Sequence, residues 1–225
     1  MKYLRKFATK AEMDVPDEPN VVLVAESGAI LYNVKPKGVY IQHIDGKLYA
    51  TDAWVAKGFA NDEANGVAVI ANEASFVVAK EDADGGLTKN WGSSSILVTG
   101  IVTTTNADSA KLDYGGAENT SKIIAQLGED TKYAAHAADA YVFPNTNKGY
   151  LPSAGEFQVV LNNKNLIVEA LALIGGTAFL DATSYWSSTQ RNIEGSWLCG
   201  VSSGSIDYAV KYNPLKVRAF APLNV

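Results

Sequence analysis

Residues Ser196–Tyr212 read SWLCGVSSGSIDYAVKY, and this stretch decides the fold class. Side chains of different character alternate along its first half, with Trp197, Cys199 and Val201 on one face and Leu198, Gly200 and Ser202 on the other. This period of two predicts a β-strand whose bulky face points into the core and whose irregular face points outward. Ser203-Gly204 is a turn signal, so SIDYAVKY is predicted to be the returning strand of a hairpin.

Helical patterns occupy the chain before this hairpin. In chain order they are TSKIIAQL with Asn119 or Thr120 as its N-cap and Gly128 as its end, the alanine-rich Tyr133–Ala140, LPSAGEFQVVL with a capping box of Ser153 and Glu156, and LIVEALALI ending at Gly175-Gly176. A capping box satisfies two exposed backbone donors at a helix start, and glycine is typical of the position after a helix. The middle of the chain is therefore predicted to be helical.

Strand patterns lie on both sides of the helices. GVYIQHI and KLYA flank Asp45-Gly46, a strong two-residue hairpin signal, and VAVIA and ASFVVAK form a second pair. After Asn213-Pro214, KVRAFAPL predicts the last strand. The order of strands, helices and strands predicts an α+β fold with an antiparallel sheet that joins both ends of the domain.

Residues 1–36 have a different composition. They contain three of the seven prolines and the charged segment EMDVPDEPN before one short apolar run, VVLVA. Such a composition is typical of an arm or attachment segment. We therefore predict a short N-terminal arm over residues 1–36 and one folded domain over residues 37–225.

The composition excludes several classes of partner. The chain has 225 residues, is 47% hydrophobic and carries a formal net charge of −5, without a basic stripe that could follow a phosphate backbone, so no nucleic-acid partner is expected. Cys199 is its one cysteine, which excludes an intrachain disulfide and a cysteine-based zinc site. No secretory signal or membrane-length apolar run is present, so we expect no membrane partner and folding in the cytoplasm before any later destination.

The residues with catalytic chemistry do not form a known pattern. His43 and His136 are far apart, Ser187, Ser188 and Thr189 lack a G-x-S-x-G motif, and Asp82 and Asp84 before Gly85-Gly86 do not follow EF-hand spacing. Structural roles explain the others: Glu156 caps a helix, Cys199 faces inward, Arg218 joins a hydrogen-bond network, and the hydroxyls of residues 187–189 tie down a turn. We predict no enzyme activity, no catalytic residue, no metal and no cofactor.

The C-terminal third resembles a known family. The succession GYLPSAGEF, the helix to Gly176, YWSSTQ, Trp197, the SSGS turn and VRAF is similar to the C-type-lectin-fold domains of diversity-generating retroelement variable proteins. The likeness is strongest to those of Bacteroides and its phages, which are related in fold to the formylglycine-generating-enzyme type. GVYIQHIDGKLYATDAW and NWG extend the resemblance back to about residue 38, and MKYLRKFATKAEM resembles the start of Bacteroides phage tail-tip or fibre proteins. The lone cysteine departs from the enzymes of that type, and Glu18-Pro19-Asn20 is a coincidental match to a lectin calcium motif.

The resemblance implies a constant framework and a variable region at about residues 186–218. The implied framework residues are Trp186, Ser187, Ser188, Trp197, Gly204, Lys211, Val217 and Arg218. The implied variable, ligand-binding positions are Arg191, Asn192, Glu194, Leu198, Gly200, Ser202, Ser205, Asp207, Tyr208, Ala209, Asn213, Pro214, Leu215 and Lys216. Leu198, Gly200 and Ser202 are also the set that the alternation alone predicts to face outward.

These implications define the expected function. The resemblance implies a receptor-binding protein of a phage or prophage tail tip or fibre, which recognises a bacterial surface protein or glycan through a diversified face. Tyr208, Leu198, Leu215 and Arg191 are the expected anchors, since large amphipathic or guanidinium groups dominate interface energetics. The arm would attach to other tail proteins, and the chain could form a homo-oligomer. The alternative is a fixed-specificity adhesin or lectin-like module on the surface of a gut bacterium, so the expected location is the virion tail or the cell surface.

Overall fold

The computed structural model describes residues 4–6, 22–24, 30–31, 36–128, 133–177, 179, 183–200 and 203–223. The chain divides into two compact units, residues 1–37 with Val225 and Gly38–Asn224. In the first unit, strands β1 (Leu4–Lys6), β2 (Val22–Val24) and β3 (Ile30–Leu31) form a sheet in the order β1-β2-β3. The functional division into an arm and a binding domain stays a prediction.

The second unit begins with strands and continues with helices. Its first elements are β4 (Gly38–His43), β5 (Leu48–Tyr49), α1 (Thr51–Lys57), β6 (Ala64–Ile70) and β7 (Ser75–Asp82). The helices that follow are α2 (Ala107–Ala110), α3 (Gly116–Leu127), α4 (Ala134–Asp139), α5 (Ala154–Asn162) and α6 (Lys164–Leu173). The last strands are β8 (Ser184–Gln190), β9 (Gly195–Gly200), β10 (Ser205–Val210) and β11 (Arg218–Pro222).

These strands form two antiparallel sheets. The larger has the order β11-β7-β6-β4-β5, so the last strand pairs with a strand from the first half of the unit. The smaller has the order β10-β9-β8. The predicted α+β class with antiparallel sheets and helices is confirmed.

Two hydrophobic clusters lie on opposite faces of both sheets. In β6, Val67 and Val69 belong to the first cluster, whereas Ala68 and Ile70 belong to the second. In β9, Trp197 and Cys199 belong to the first, and Leu198 belongs to the second. Helices α5 and α6 contribute to the first cluster, and α3 and α4 contribute to the second. Central strands therefore have no outward face, and this arrangement decides which positions can reach a ligand.

Several local predictions are confirmed and others need correction. Gly46 has a φ of +89° in the β4–β5 turn, and Ser153 and Glu156 form the predicted capping box at α5. Helix α3 begins at Gly116, so the prediction that Asn119 or Thr120 is its N-cap is wrong. Thr120 instead donates through Oγ1 to the Gly116 carbonyl oxygen at 2.8 Å from within the helix. Helix α1, directly after β5, was not predicted.

Candidate ligand-binding face

Strand β8 forms the buried base of the candidate site. The predicted turn at residues 187–189 is wrong, because these residues continue an antiparallel strand. Ser187 Oγ donates to the Trp197 carbonyl oxygen at 2.8 Å, and Thr189 Oγ1 donates to Asp113 Oδ2 at 2.7 Å. Ser188 Oγ accepts from Asn119 Nδ2 at 3.3 Å. The hydroxyl groups are therefore satisfied inside the protein, and none pairs with a histidine base.

Gln190 ends β8 and fixes a buried lysine. Its Oε1 accepts from Lys211 Nζ at 2.7 Å and from the Val98 amide at 3.0 Å. Lys211 Nζ also donates to the Ile96 carbonyl oxygen at 2.7 Å and lies 4.6 Å from the centroid of the Trp91 ring. Burial lowers the pKa of Lys211 to about 8. Lys211, which directly follows β10, is therefore tethered to the end of β8.

The side chain of Asn192 stabilises the turn between β8 and β9. Its Oδ1 accepts from the amides of Glu194 at 3.0 Å and Gly195 at 2.7 Å. Arg191 and Asn192 also donate their amides to the Gly195 carbonyl oxygen at 3.0 and 3.1 Å. Asparagine is suited to such a turn because its short side chain can bond backbone groups two or three residues away. This turn therefore follows a local rule, although its letters look arbitrary.

An aromatic and cationic stack lies beside this turn. Tyr208 on β10 pairs with Trp197 on β9, with a ring-centroid distance of 5.9 Å and an interplanar angle of 77°. The Arg191 guanidinium carbon lies 3.8 Å from the centroid of the Tyr208 ring. Trp197 is held from below, since its Nε1 donates to the Thr104 carbonyl oxygen at 2.9 Å. Tyr208 is 51% exposed, so a rigid base presents this stack to solvent.

Most of the implied ligand-binding positions are at least partly accessible. Glu194, Asp207, Tyr208 and Pro214 are exposed. The partly buried ones are Arg191, Asn192, Ser205, Ala209, Asn213, Leu215 and Lys216. Ser202 lies outside the described residues. These positions occupy the turns and the edge strand β10, so the accessible face is an edge of the sheet rather than a broad side.

The prediction that Leu198 and Gly200 face outward is wrong. Leu198 is 7% exposed and belongs to the second hydrophobic cluster. Gly200 is buried, and a Cβ atom there would meet Ser203 Oγ at 2.5 Å. The alternation misled because β9 is the central strand of its sheet and both of its faces are covered. Leu198 therefore cannot anchor a ligand in this arrangement.

Two accessible residues on this edge were missed by sequence reasoning. Ile193 in the β8–β9 turn is 46% exposed, and Tyr212 directly after β10 is 60% exposed. The main chain links them, since the Lys211 amide donates to the Glu194 carbonyl oxygen at 2.9 Å. A large side chain in a turn next to a predicted binding strand is a signal that could have identified both. We call Arg191, Ile193, Glu194, Asp207, Tyr208 and Tyr212 the edge face.

Seven of the eight implied framework residues are buried, and Gly204 is exposed. Trp186 is fully buried and donates through Nε1 to the Lys89 carbonyl oxygen at 2.8 Å. Arg218 is fully buried, pairs with Asp82 at 2.8 Å and donates to the Ala79 carbonyl oxygen at 3.0 Å. The prediction that Arg218 belongs to a structural network is confirmed. Lys216, an implied variable position, also makes structural contacts. Its Nζ lies 3.7 Å from Asp82 Oδ2 and donates to the Gly86 carbonyl oxygen.

Glu156 lies in a buried polar network at the start of α5. Its Oε1 accepts from Tyr150 Oη at 2.7 Å, and its Oε2 accepts from the Ser153 amide at 2.7 Å. Burial raises the pKa of Glu156 to about 7. The capping box and the tyrosine use the carboxylate fully, which fits the predicted structural role.

A separate cleft of about 360 Å³ is lined by Asp84, Lys89, His136, Tyr141 and Val142 together with two alanines. Asp84 and Lys89 form an ion pair. Both ring nitrogens of His136 are buried without a partner among the described residues, so they add no accessible donor or acceptor to the cleft. The cleft therefore lacks the converging polar groups of a built small-molecule site.

Other chemistry is limited in the described part of the chain. Burial raises the pKa of Cys199 to about 12, so its thiol is not activated. No group of three or more His, Cys, Asp or Glu residues is arranged to hold a metal ion in the ranges that the structure describes. Within the same ranges, no helix has both the length and the apolar composition needed to cross a membrane.

Comparison with solved structures finds a similar fold in a fimbrial protein from Bacteroides ovatus. The TM-score is 0.58, the sequence identity is 17%, and the match covers 83% of this chain and 48% of that chain. This chain thus spans about half the length of the fimbrial protein. At this identity the likeness concerns the fold alone. No protein-family model matches the chain, and no curated protein matches it significantly.

Proposed function

We propose that this protein is an adhesin-like binding module of a bacterial surface, which recognises a surface protein or glycan non-covalently through the edge face. The observation that carries the proposal is the contact of the Arg191 guanidinium with the half-exposed Tyr208 ring, which packs edge-to-face on the buried Trp197 ring. Tyrosine and arginine on rigid elements are the residue types that dominate interface energetics. The fold likeness to a Bacteroides fimbrial protein supports a surface location.

A binding role accounts for the geometry better than catalysis does. The hydroxyls of β8 donate to a carbonyl oxygen and a carboxylate or accept from an amide, and none is free to act as a nucleophile with a base. The accessible chemistry of the edge face consists of aromatic rings, one isoleucine side chain, one guanidinium and two carboxylates at the surface. Such groups suit recognition by contact.

The test uses the fluorescently labelled 225-residue chain and fixed cells of gut Bacteroides strains. Arg191→Ala combined with Tyr208→Ala should abolish cell binding while the far-ultraviolet circular dichroism stays unchanged. Val55→Ala is the matched control, because Val55 is 60% exposed on α1, away from the small sheet, and should bind as the unaltered protein does. Periodate or protease treatment of the cells distinguishes a glycan target from a protein target. Equal binding by the double variant and the control would refute the edge face.

A second candidate is the diversified tail-tip protein that the C-type lectin-like resemblance implies. One observation favours it: seven of the implied framework residues are buried, whereas eleven of the implied variable positions are accessible or partly accessible. That segregation would allow side chains to vary without loss of the fold. Sequencing the 3′ end of the gene and its flanking DNA in related isolates tests it. Adenine-specific differences at the accessible codons beside a reverse transcriptase gene would support diversification, and an invariant 3′ end would favour a fixed adhesin.

A further inference from the structure

The two arginines of the second unit, Arg191 and Arg218, differ in their hydrogen-bond partners. Arg218 has a carboxylate partner and two further acceptors, Ala79 and Thr177. Arg191 has no carboxylate partner and no side-chain hydrogen bond to any described residue, and its Nε is buried without an acceptor. Its two terminal nitrogens are not among the buried atoms that lack a partner, and the residue as a whole is only partly buried, which leaves these nitrogens open to solvent or a ligand. The edge face therefore contains a fixed cation whose donors are unused.

The stack on Tyr208 prepares this cation for a planar anion. The guanidinium carbon lies 3.8 Å from the ring centroid, a cation–π contact that holds the end of the side chain against the ring, and the hydrogen bond from the Arg191 amide to the Gly195 carbonyl oxygen fixes its start. A guanidinium presents its N–H groups as a fork that matches a carboxylate in bidentate geometry. Because the side chain is already ordered, little conformational entropy is lost when an anion binds.

The charges around Arg191 are negative, so an anion must be held by direct contact with the guanidinium rather than by long-range attraction. Glu194 in the same turn and Asp207 on β10 are both exposed, and neither pairs with Arg191. They weaken long-range attraction of an anion to this edge, and the net charge of −5 acts in the same direction. A ligand with a single acidic group, placed directly on the guanidinium, avoids these two carboxylates better than a polyanion does.

The remaining surface favours a sugar over a peptide. Tyr208 and Tyr212 expose aromatic surface on which a sugar ring can stack. A peptide would bind most readily by adding a strand to the edge of β10. That edge is blunted, because Asp207 Oδ1 already accepts the Tyr208 amide at 2.8 Å. We therefore propose that the edge face binds an acidic sugar residue, with Arg191 receiving its carboxylate or sulfate and Tyr208 and Tyr212 contacting its ring. This inference rests on the proposed function and specifies its ligand class.

The test measures affinities of the whole 225-residue chain for matched oligosaccharides by calorimetry. The probes are a galacto-oligosaccharide that carries one galacturonate residue, the methyl ester of that uronate, the same oligosaccharide with one sulfate group instead, and a glutamate-rich peptide. At least one of the two anionic sugars should bind at least tenfold more tightly than the uncharged ester. A hydrogen bond to a charged group raises the association constant by roughly tenfold to a hundredfold. The preference should weaken as salt rises. Comparing the uronate with the sulfated sugar identifies the acidic group.

The variants separate the roles of charge and geometry. Arg191→Gln should remove the preference for the acid over the ester, and Arg191→Lys should keep only part of it because the fork is lost. Tyr208→Phe should bind the sugar as the unaltered protein does, whereas Tyr208→Ala should lower affinity for both acid and ester.

Four results would overturn the inference: equal affinity for acid and ester, no effect of Arg191→Gln, binding of the peptide alone, or no binding of any anionic probe. If cell binding still depends on Arg191 and Tyr208 in those cases, the proposed function stands and only the ligand class is wrong. If cell binding is independent of both residues, the proposed function fails as well.

Discussion

Strands β8 and β10 flank the same central strand, β9, yet their residues are in opposite environments. From Tyr185 to Gln190 every residue of β8 is buried, and its polar groups bond to distant parts of the chain. In β10, Asp207 and Tyr208 are exposed, and just after it Lys211 returns to the interior. One sheet thus has an embedded edge and an open edge. Buried structural contacts are concentrated on the first, and the accessible side chains that we propose recognise a ligand lie on the second.

The largest expected difference between the two edges is the effect of removing an aromatic ring. Trp186→Ala should lower the free energy of unfolding by about 3–5 kcal/mol, because it leaves a cavity in a fully buried site and removes the donor to the Lys89 carbonyl oxygen. Tyr208→Ala should cost at most about 1 kcal/mol, since half of the ring is exposed. Urea unfolding followed by circular dichroism measures both. Similar losses for the two variants would remove the distinction between the edges.

The second difference is in the pH dependence of stability. Burial raises the pKa of Glu156 from 4.5 to about 7, so this group stabilises the fold fully below pH 4.5. Its contribution is lost as pH rises through about 7, because the unfolded chain releases the proton first. With about 1.4 kcal/mol for each pKa unit, the loss is on the order of 3 kcal/mol. Glu156→Gln should remove this slope, and unfolding curves at pH 4 and pH 8 measure it.

Glu194 on the open edge is the matched control for this prediction. Glu194→Gln should leave the slope as it is in the unaltered protein, because the side chain is exposed and makes no ion pair with a described residue. A slope that disappears in Glu194→Gln, or persists in Glu156→Gln, would show that the buried capping box is not its source.

The smallest difference lies within the open edge itself. Asn192→Ala should cost about 1 kcal/mol, because the amides of Glu194 and Gly195 lose their acceptor. Glu194→Ala, two residues away, should change stability by less than about 0.5 kcal/mol. Thermal unfolding of both variants measures the contrast. Equal and negligible effects would mean that the whole turn is open to substitution.

The parts of the fold that sequence predicted have local causes. The capping box of Ser153 and Glu156, the turn at Asp45-Gly46 and the glycine pair after α6 act within a few residues, so a short window of sequence reveals them. Strand β8 was missed because its serines and threonine resemble turn residues. Their partners, Asp113, Asn119 and the Trp197 carbonyl oxygen, are 10 to 76 residues away.

The candidate site shows the same division between local and distant causes. The resemblance placed both Arg191 and Tyr208 among the binding positions, but no pattern indicated that they stack. Leu198 and Gly200 were misplaced because alternation reports the outward face only when one side of a strand is open. Whether β9 is central or at an edge depends on the pairing of β8 and β10, which the chain establishes only on folding.

If the edge face holds a surface as proposed, the contact between Lys211 and Gln190 has a mechanical consequence. A ligand that pulls on Tyr208 loads β10 against β9, and the strand pairs can separate one after another from a free end. The Lys211 ammonium, bonded to Gln190 at 2.7 Å, closes the end of β10 next to the binding stack. Separation of β10 from β9 at that end must first break this buried charged contact. Strand β10 therefore stays paired while force acts on the bond with the ligand.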